Sequence, residues 1–428
     1  MPKTRPTIKY TSRDYASIRK DLLAYAERYY PDTFRDFNEA SFGSLMIDTV
    51  SYIGDILSFY LDYQANESFL DTAIEYNNVV RLGRQLGYKF ARTHASTGVL
   101  SCYVVVPASS EALGPDTDYI PTLRRNSTFS TSRGTIFTLL EDVDFMKSEN
   151  EVIVAAANPD SGNPTSYAIK AYGKVISGEA VQTTITARNY ERFKKIEIQD
   201  SNITEIISVF DSEGREYFEV DYLSQNVIYR EVLNTSSDST LVPNVLRPVV
   251  VPRRFTVVNE RGRTFLQFGH GSEDVISTNA MVDPSDVVLN VHGRSHTTDD
   301  SFDPSRLIEN DKFGIVPANT VLRVVYRRNR DSNVNAAVGT IKKVVDRRFK
   351  FNKKSTLNST KVNKIIKSLE VENEDPVIGD VSLPNVDELK VRMGDTFATQ
   401  NRAVTKQDYR ALIYSMPAKF GAIKRCNI

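Results

Sequence analysis

The sequence predicts an α+β multidomain protein: an N-terminal helical bundle segment, antiparallel β-rich middle domains and a small α/β C-terminal part. Three observations predict it. Apolar residues recur at three- and four-residue intervals across the N-terminal region. From Ser96 the pattern changes to short runs rich in Val, Ile, Thr and Tyr, separated by turn residues. Helical spacing then returns, mixed with loop, in the last stretch of chain. The boundaries this implies are 1–93, 94–245, 246–340 and 341–428.

In the first region, Ser12 and Asp14 precede Tyr15, Ile18, Leu22, Tyr25 and Tyr29, and Pro31 interrupts the run. Ser41 opens a long helix in which Phe42, Met46, Thr49, Ile53, Ile56, Tyr60 and Tyr63 keep a 4-3 spacing. Leu45, Tyr52 and Phe59 form a second stripe, and Ile47, Val50, Leu57 and Leu61 widen the apolar surface. A helix apolar on so many sides belongs inside a bundle. The bundle is either closed by this chain alone or completed by helices of partner chains. A third helix is expected from about Leu70 to Leu86, with Gly87 near its C-cap.

Strands are expected at 98–107, within 127–137, and at 151–157, 167–176, 182–186, 195–198, 206–210, 216–222 and 226–230. Further strands are expected at 249–257, 264–268, 286–291 and 321–327. Short strands at such spacing point to antiparallel sheets rather than βαβ units. A basic helix near Val362–Leu369 follows, then an acidic, Pro-containing segment, Glu372–Pro376, expected as a linker. Joints near 92–96, 242–253 and 371–384 are expected to let the domains move. Arg402–Pro417 reads as a capped helix. Thr405 is the N-cap and Asp408 completes a near capping box; Tyr409, Leu412 and Ile413 form an apolar face.

Composition bounds the function. An apolar content of 40% and a charged content of 25% are ordinary for a soluble globular chain of 428 residues. Basic and acidic residues number 54 each, so no global field draws the chain to nucleic acid or an anionic membrane. Cys102 and Cys426 alone make neither a disulfide framework nor a thiolate metal site, which fits assembly in a reducing cytoplasm. The first residues lack the apolar core of a signal peptide, and no run approaches the roughly 20 apolar residues of a membrane span.

Candidate chemistry is sparse. His292 and His296 stand four apart with Asp299 and Asp300 behind them, but among Gly, Ser and Thr they read as a loop. Phe268–Asp274 offers a Gly-His-Gly turn without a nucleophile-elbow pattern. Lys342, Lys343, Arg347, Arg348, Lys350, Lys353, Lys354, Lys361, Lys364 and Lys367 interleave with Phe349 and Phe351. That pattern suits either a nucleic-acid groove or a solvated face paired with acidic Glu370–Asp375. No catalytic residue, metal ligand or cofactor site is singled out, so the expectation is a non-enzyme.

Three segments in order resemble the baseplate J-like family, the wedge subunits of contractile phage tails and related injection machines. They are Ser41–Asp48 with Tyr60–Ala73 and Leu86–Tyr88; Val324–Ile341; and Asn401–Tyr409, preceded by acidic Pro384–Met393. The loop from Arg327 to Ser332 departs from the family in being charged where glycines are frequent. Relatives in T-even-like phages continue past the Asn401–Tyr409 signature with a further domain, whereas this sequence stops soon after it.

The resemblance implies a structural subunit of a myophage virion, assembled in the host cytoplasm and placed in the tail baseplate. It implies a second copy of the chain and another wedge protein in a 2:1 complex built on shared N-terminal helices. Sheath-initiator and hub-proximal baseplate proteins and a six-fold ring are the further partners, with no membrane and no nucleic acid among them. Phe42, Leu45, Met46, Ile53, Ile56 and Tyr60 would face the shared bundle. Asn401, Arg402, Ala403, Val404, Thr405, Asp408 and Tyr409 would form an assembly region. Such a ring would transmit the change that triggers sheath contraction. The competing expectations are a tail-associated enzyme acting on cell wall or glycan, and a receptor-binding or fibre-attachment protein.

Overall fold

The computed structural model describes residues 13–32, 38, 41–109, 114–235, 241–242, 244–260, 262–271, 313–331, 333–352 and 357–428. The chain divides into two compact units, Met1–Lys89 with Pro384–Ala411, and Phe90–Leu383 with Leu412–Ile428. The α-helices among the described residues are α1 (Tyr15–Tyr29), α2 (Phe42–Asn66), α3 (Tyr76–Gln85), α4 (Ser359–Lys367), α5 (Val386–Thr399) and α6 (Lys406–Tyr414).

In the first unit, α1 is capped by the Asp14 carboxylate, which accepts from Ser17 N at 3.0 Å. Ser41 caps α2, accepting from Ser44 N at 3.1 Å. The two helices lie antiparallel. Arg13, just before α1, pairs with Asp62 at 2.7 Å, and Arg19 pairs with Asp48 at 2.5 Å. Between those pairs, Ile18 packs on Gly54, where an added Cβ would lie 3.1 Å from Ile18 Cδ1.

The third helix begins at Tyr76, not near Leu70 as its apolar spacing suggests. Residues 67–75 turn instead, because the Glu67 carboxylate gathers their backbone. It accepts from Ile74 N at 2.7 Å, Glu75 N at 3.2 Å and Asn78 Nδ2 at 2.9 Å. Gly87, at φ +86°, follows the end of α3. α3 packs on α5, with Gly83 against fully buried Met393.

The second unit carries β1 (Thr97–Pro107), β2 (Thr122–Leu123), β3 (Thr128–Thr131), β4 (Ile136–Leu139), β5 (Val143–Asp144), β6 (Glu151–Ala157) and β7 (Pro164–Ser177). It continues with β8 (Glu179–Ala187), β9 (Lys195–Ile198), β10 (Ile203–Phe210), β11 (Glu216–Glu219), β12 (Val227–Leu233) and β13 (Asn244–Val250). The remainder are β14 (Arg254–Glu260), β15 (Arg263–Phe268), β16 (Thr320–Arg328), β17 (Ile341–Asp346), β18 (Phe349–Lys350) and β19 (Glu370–Glu372).

One sheet runs β17-β3-β4-β7-β1-β19, with β6 also on β7; a second runs β8-β16-β10-β11-β14-β15-β9. All named pairs are antiparallel except β11 with β14. β18-β2-β5 forms a small third sheet, and β12 with β13 stands as a two-stranded ribbon. Each large sheet has its own core: Leu100, Phe129, Phe137 and Ile169, covered by Val362 and Ile365 of α4, in the first; Phe255, Leu266, Phe268 and Leu322 in the second. The architecture is therefore α+β and multidomain, with helices at both chain ends and an antiparallel β-rich middle.

The run expected as one strand at 249–257 is two, because Pro252 removes a ladder donor between β13 and β14. The expected strand at 286–291 lies outside the described residues. Glu372–Pro376 is no linker. β19 pairs with β1, and Asn373 is fully buried. Asn373 accepts from Thr340 N and Ile341 N, both at 3.0 Å, and donates to Ala337 O at 2.8 Å and Asp375 O at 2.9 Å.

Nor is 92–96 a free joint. It is pinned, together with the chain between β7 and β8 and the end of β16, by bonds among these segments and to the start of β10. Ser96 N donates to Ser177 Oγ at 2.9 Å, Thr93 Oγ1 to Ile203 O at 2.9 Å, and Asn329 N to Asn202 O at 3.1 Å. Arg328 and Arg330 both reach Glu179 at 2.9 Å. Gly178, at φ +97°, links β7 to β8, and a Cβ there would sit 2.7 Å from Arg328 O.

Candidate assembly surface

The α1–α2 hairpin inverts the usual burial. The face of α2 toward α1 carries Ser44, Asp48, Ser51, Gly54 and Asp62, and the only α2 residues classed as buried are Ser44 and Ser51. At about 100° per residue, Phe42, Met46, Ile53 and Tyr60 cluster on the opposite side. They are exposed, Phe42 by 76%, Met46 by 50%, Ile53 by 50% and Tyr60 by 62%, with Leu45 exposed beside them and Ile56 half-buried. Small and polar residues line the seam because Arg13, just before α1, and Ile18 and Arg19 within it lie there, which suit carboxylates and a glycine. Phe69 and Ile74, in the Glu67 turns, add exposed apolar surface that a helical reading of 70–86 did not single out.

The second predicted region is held by its own cap. Val404 N and Thr405 N donate to Asp408 Oδ2 at 3.1 and 2.9 Å, and Asp408 N donates to Thr405 Oγ1 at 3.2 Å. The Thr405 N–H, first among several causes, holds the Asp408 carboxyl below its ordinary range. Gln400 and Asn401 adopt left-handed φ of 47° and 57°, which ends α5 and reverses the chain into α6. Arg402, Ala403, Val404 and Tyr409 are exposed around this turn.

The other constellations resolve into packing. His270 is buried, stacked on Phe193 at 5.6 Å and edge-on to Phe313 at 5.6 Å, and its carbonyl accepts from Tyr190. Ser272, Glu273, Asp274, His292, His296, Asp299 and Asp300 lie outside the described residues. Phe351 is buried and Phe349 half-buried in the core under the first sheet, so neither is a stacking platform for bases. Lys342 pairs with Glu372 at 3.0 Å, Arg348 with Asp346 at 2.8 Å, and Lys361 lies 5.4 Å from the Tyr119 ring centre. Burial pushes the Cys102 thiol up to about 12.

Residues 14–85 match the family described as bacteriophage baseplate protein, N-terminal domain. The match spans α1, α2, the Glu67 turns and α3, and it supports a structural protein of the phage baseplate and a place in the virion tail. A comparison with curated proteins finds no match.

Proposed function

We propose, from the premise of a phage baseplate protein, that the chain is a non-catalytic wedge subunit of the baseplate J-like kind in a contractile, myophage tail. Two copies join another wedge protein by sharing N-terminal helices. Sheath-initiator and hub-proximal proteins bind around them in a six-fold ring assembled in the host cytoplasm, and the ring passes on the change that releases the sheath. The observation that carries this reading is the outward apolar face of α2 on a hairpin with a polar seam. Covering a large apolar side chain gains about 1.5–3 kcal/mol relative to leaving it exposed. An exposed ion pair such as Arg13–Asp62 contributes roughly 1 kcal/mol or less. Covering two or three residues of that face therefore contributes more than such an ion pair does, and a partner helix is the occupant of matching shape. Coexpression with the neighbouring tail proteins, followed by the mass of the purified complex, tests the reading. A complex with two copies of this chain to one partner is expected. A chain that stays a stable monomer in their presence sinks it.

A further inference from the structure

The residues that follow α6 bind back onto the second unit. A short 3-10 turn, Ala418–Phe420, lies beside β10. Ala95 N donates to Ala418 O at 2.9 Å, and Ala422 N donates to Gly379 O at 2.7 Å. Gly421 is buried against Ala95 and Gly379, and so close an approach requires glycine on both sides. A Cβ on Gly421, at φ +89°, would sit 2.9 Å from Ala95 O. One on Gly379, at φ +150°, would sit 2.4 Å from the same oxygen. Further on, Lys424 Nζ donates to Ser382 Oγ. Cys426 N donates to the Tyr414 hydroxyl at 3.2 Å, which returns the chain to the last turn of α6.

Next to this segment, Asn335 gathers a clasp of hydrogen bonds. Its Oδ1 accepts from Ser96 Oγ at 2.8 Å and from Gly379 N and Asp380 N, both at 3.1 Å. Its Nδ2 donates to Asp380 O at 2.7 Å, and Thr97 N donates to Ile378 O at 3.0 Å beside it. The clasp holds 96–97 against 378–380, at the joint that Ser96 ties to β7 and Thr93 ties to β10. None of these bonds involves a residue beyond α6. Little apolar surface anchors the segment after α6, since Phe420, Ile423 and Ile428 are exposed. A segment held in that way opens locally while the cores stay closed.

We propose that residues 415–426 form a strap governed by α6. Docked, the strap locks the Asn335 clasp; drawn away with α6, it lets the clasp open and the two large sheets shift at their joint. The strap follows α6 because it is continuous with that helix and bonded back to its last turn through Tyr414. It reaches the joint because it covers the backbone of Ala95 and Gly379, the neighbours of the clasped residues. It leaves readily because a few hydrogen bonds, rather than a core, hold it in place. Asp408 and Tyr409 lie on the same helix, so a partner bound there has a route to the joint. The lock itself is a property of the free chain and does not depend on the wedge reading.

Residue-resolved hydrogen exchange on the full chain tests it. Gly421→Ala sets a Cβ against Ala95 O and should undock the strap. The amides of Thr97, Gly379 and Asp380, which bond no strap residue, should then exchange roughly tenfold faster, along with those of Ala95 and Ala422. Core amides of β1 and β7 should keep their protection, which shows that the fold persists. Lys424→Ala, at an exposed position, should give a smaller rise in the same pattern, and it decides the matter if Gly421→Ala does not fold. Tyr414→Phe, which removes the acceptor of Cys426 N, should speed the same amides. Unchanged exchange of Thr97, Gly379 and Asp380 overturns the lock, even where Ala95 and Ala422 speed up, because the strap is then a passive cover. If Tyr414→Phe leaves these amides unmoved, α6 does not govern the strap and the proposal falls.

Discussion

Glu67 is nearly buried and ionised, and the residues around it show why that is stable. The Asn78 amide first, then the Ile74 N–H, hold its carboxyl below the ordinary 4.5, against the opposing push of burial. A carboxylate depressed in the folded state adds stability that is fully present above that ordinary value and is lost as pH falls through the lowered one. Thermal melts between about pH 7 and pH 3 should therefore show the N-terminal unit weakening in acid. Glu67→Gln should melt lower at neutral pH and show less of that acid dependence. An unchanged acid slope would remove the charge from the account. Asn373 makes a neutral counterpart. Asn373→Ala leaves the amides of Thr340 and Ile341 without an acceptor in a buried place, a loss of about 3 kcal/mol. Urea unfolding followed by tyrosine fluorescence should show the midpoint fall with an unchanged slope.

At the scale of elements, the contact between α3 and α5 turns on volume. A methyl at Gly83 would sit 2.2 Å from Met393 Sδ. Gly83→Ala should thus cost about 1–3 kcal/mol by overpacking. Shortening Met393 to Ala makes room, so the double variant should be more stable than the sum of the two singles predicts, as a double-mutant cycle would show. Much of this scale was legible beforehand. β6 and β9 begin and end where the short β-rich runs placed them, and the Thr405–Asp408 box announced α6. The misplaced start of α3 has a physical cause that spacing does not encode, since one side chain captured three donors. The two-residue strands β2, β5 and β18 are too short for any period to register. Asn373 looked like linker because burial of an amide depends on partners far along the chain.

For the whole molecule, the stripe of Phe42, Met46, Ile53 and Tyr60 was readable as apolar at helical spacing, but its outward direction was not. Direction follows from which residues α1 presents to the seam, and periodicity carries no information about a neighbour. Because Ile53 is half-exposed, Ile53→Asp should leave the melting profile of the free chain almost unchanged while copurification with partner baseplate proteins is lost. Collapse of the free chain on this substitution would mean that the stripe serves an internal core.

The pairing of β1 with β19 joins residues such as Tyr103 and Glu370, and Val105 N reaches Ser368 Oγ across 263 positions. During synthesis, β1 therefore emerges from the ribosome long before the strand that closes its edge. The first sheet stays unfinished, with its β1 edge open, until translation passes residue 372. The subunit thus gains its full shape late, and until then the open β1 edge leaves its unpaired backbone groups accessible to other chains.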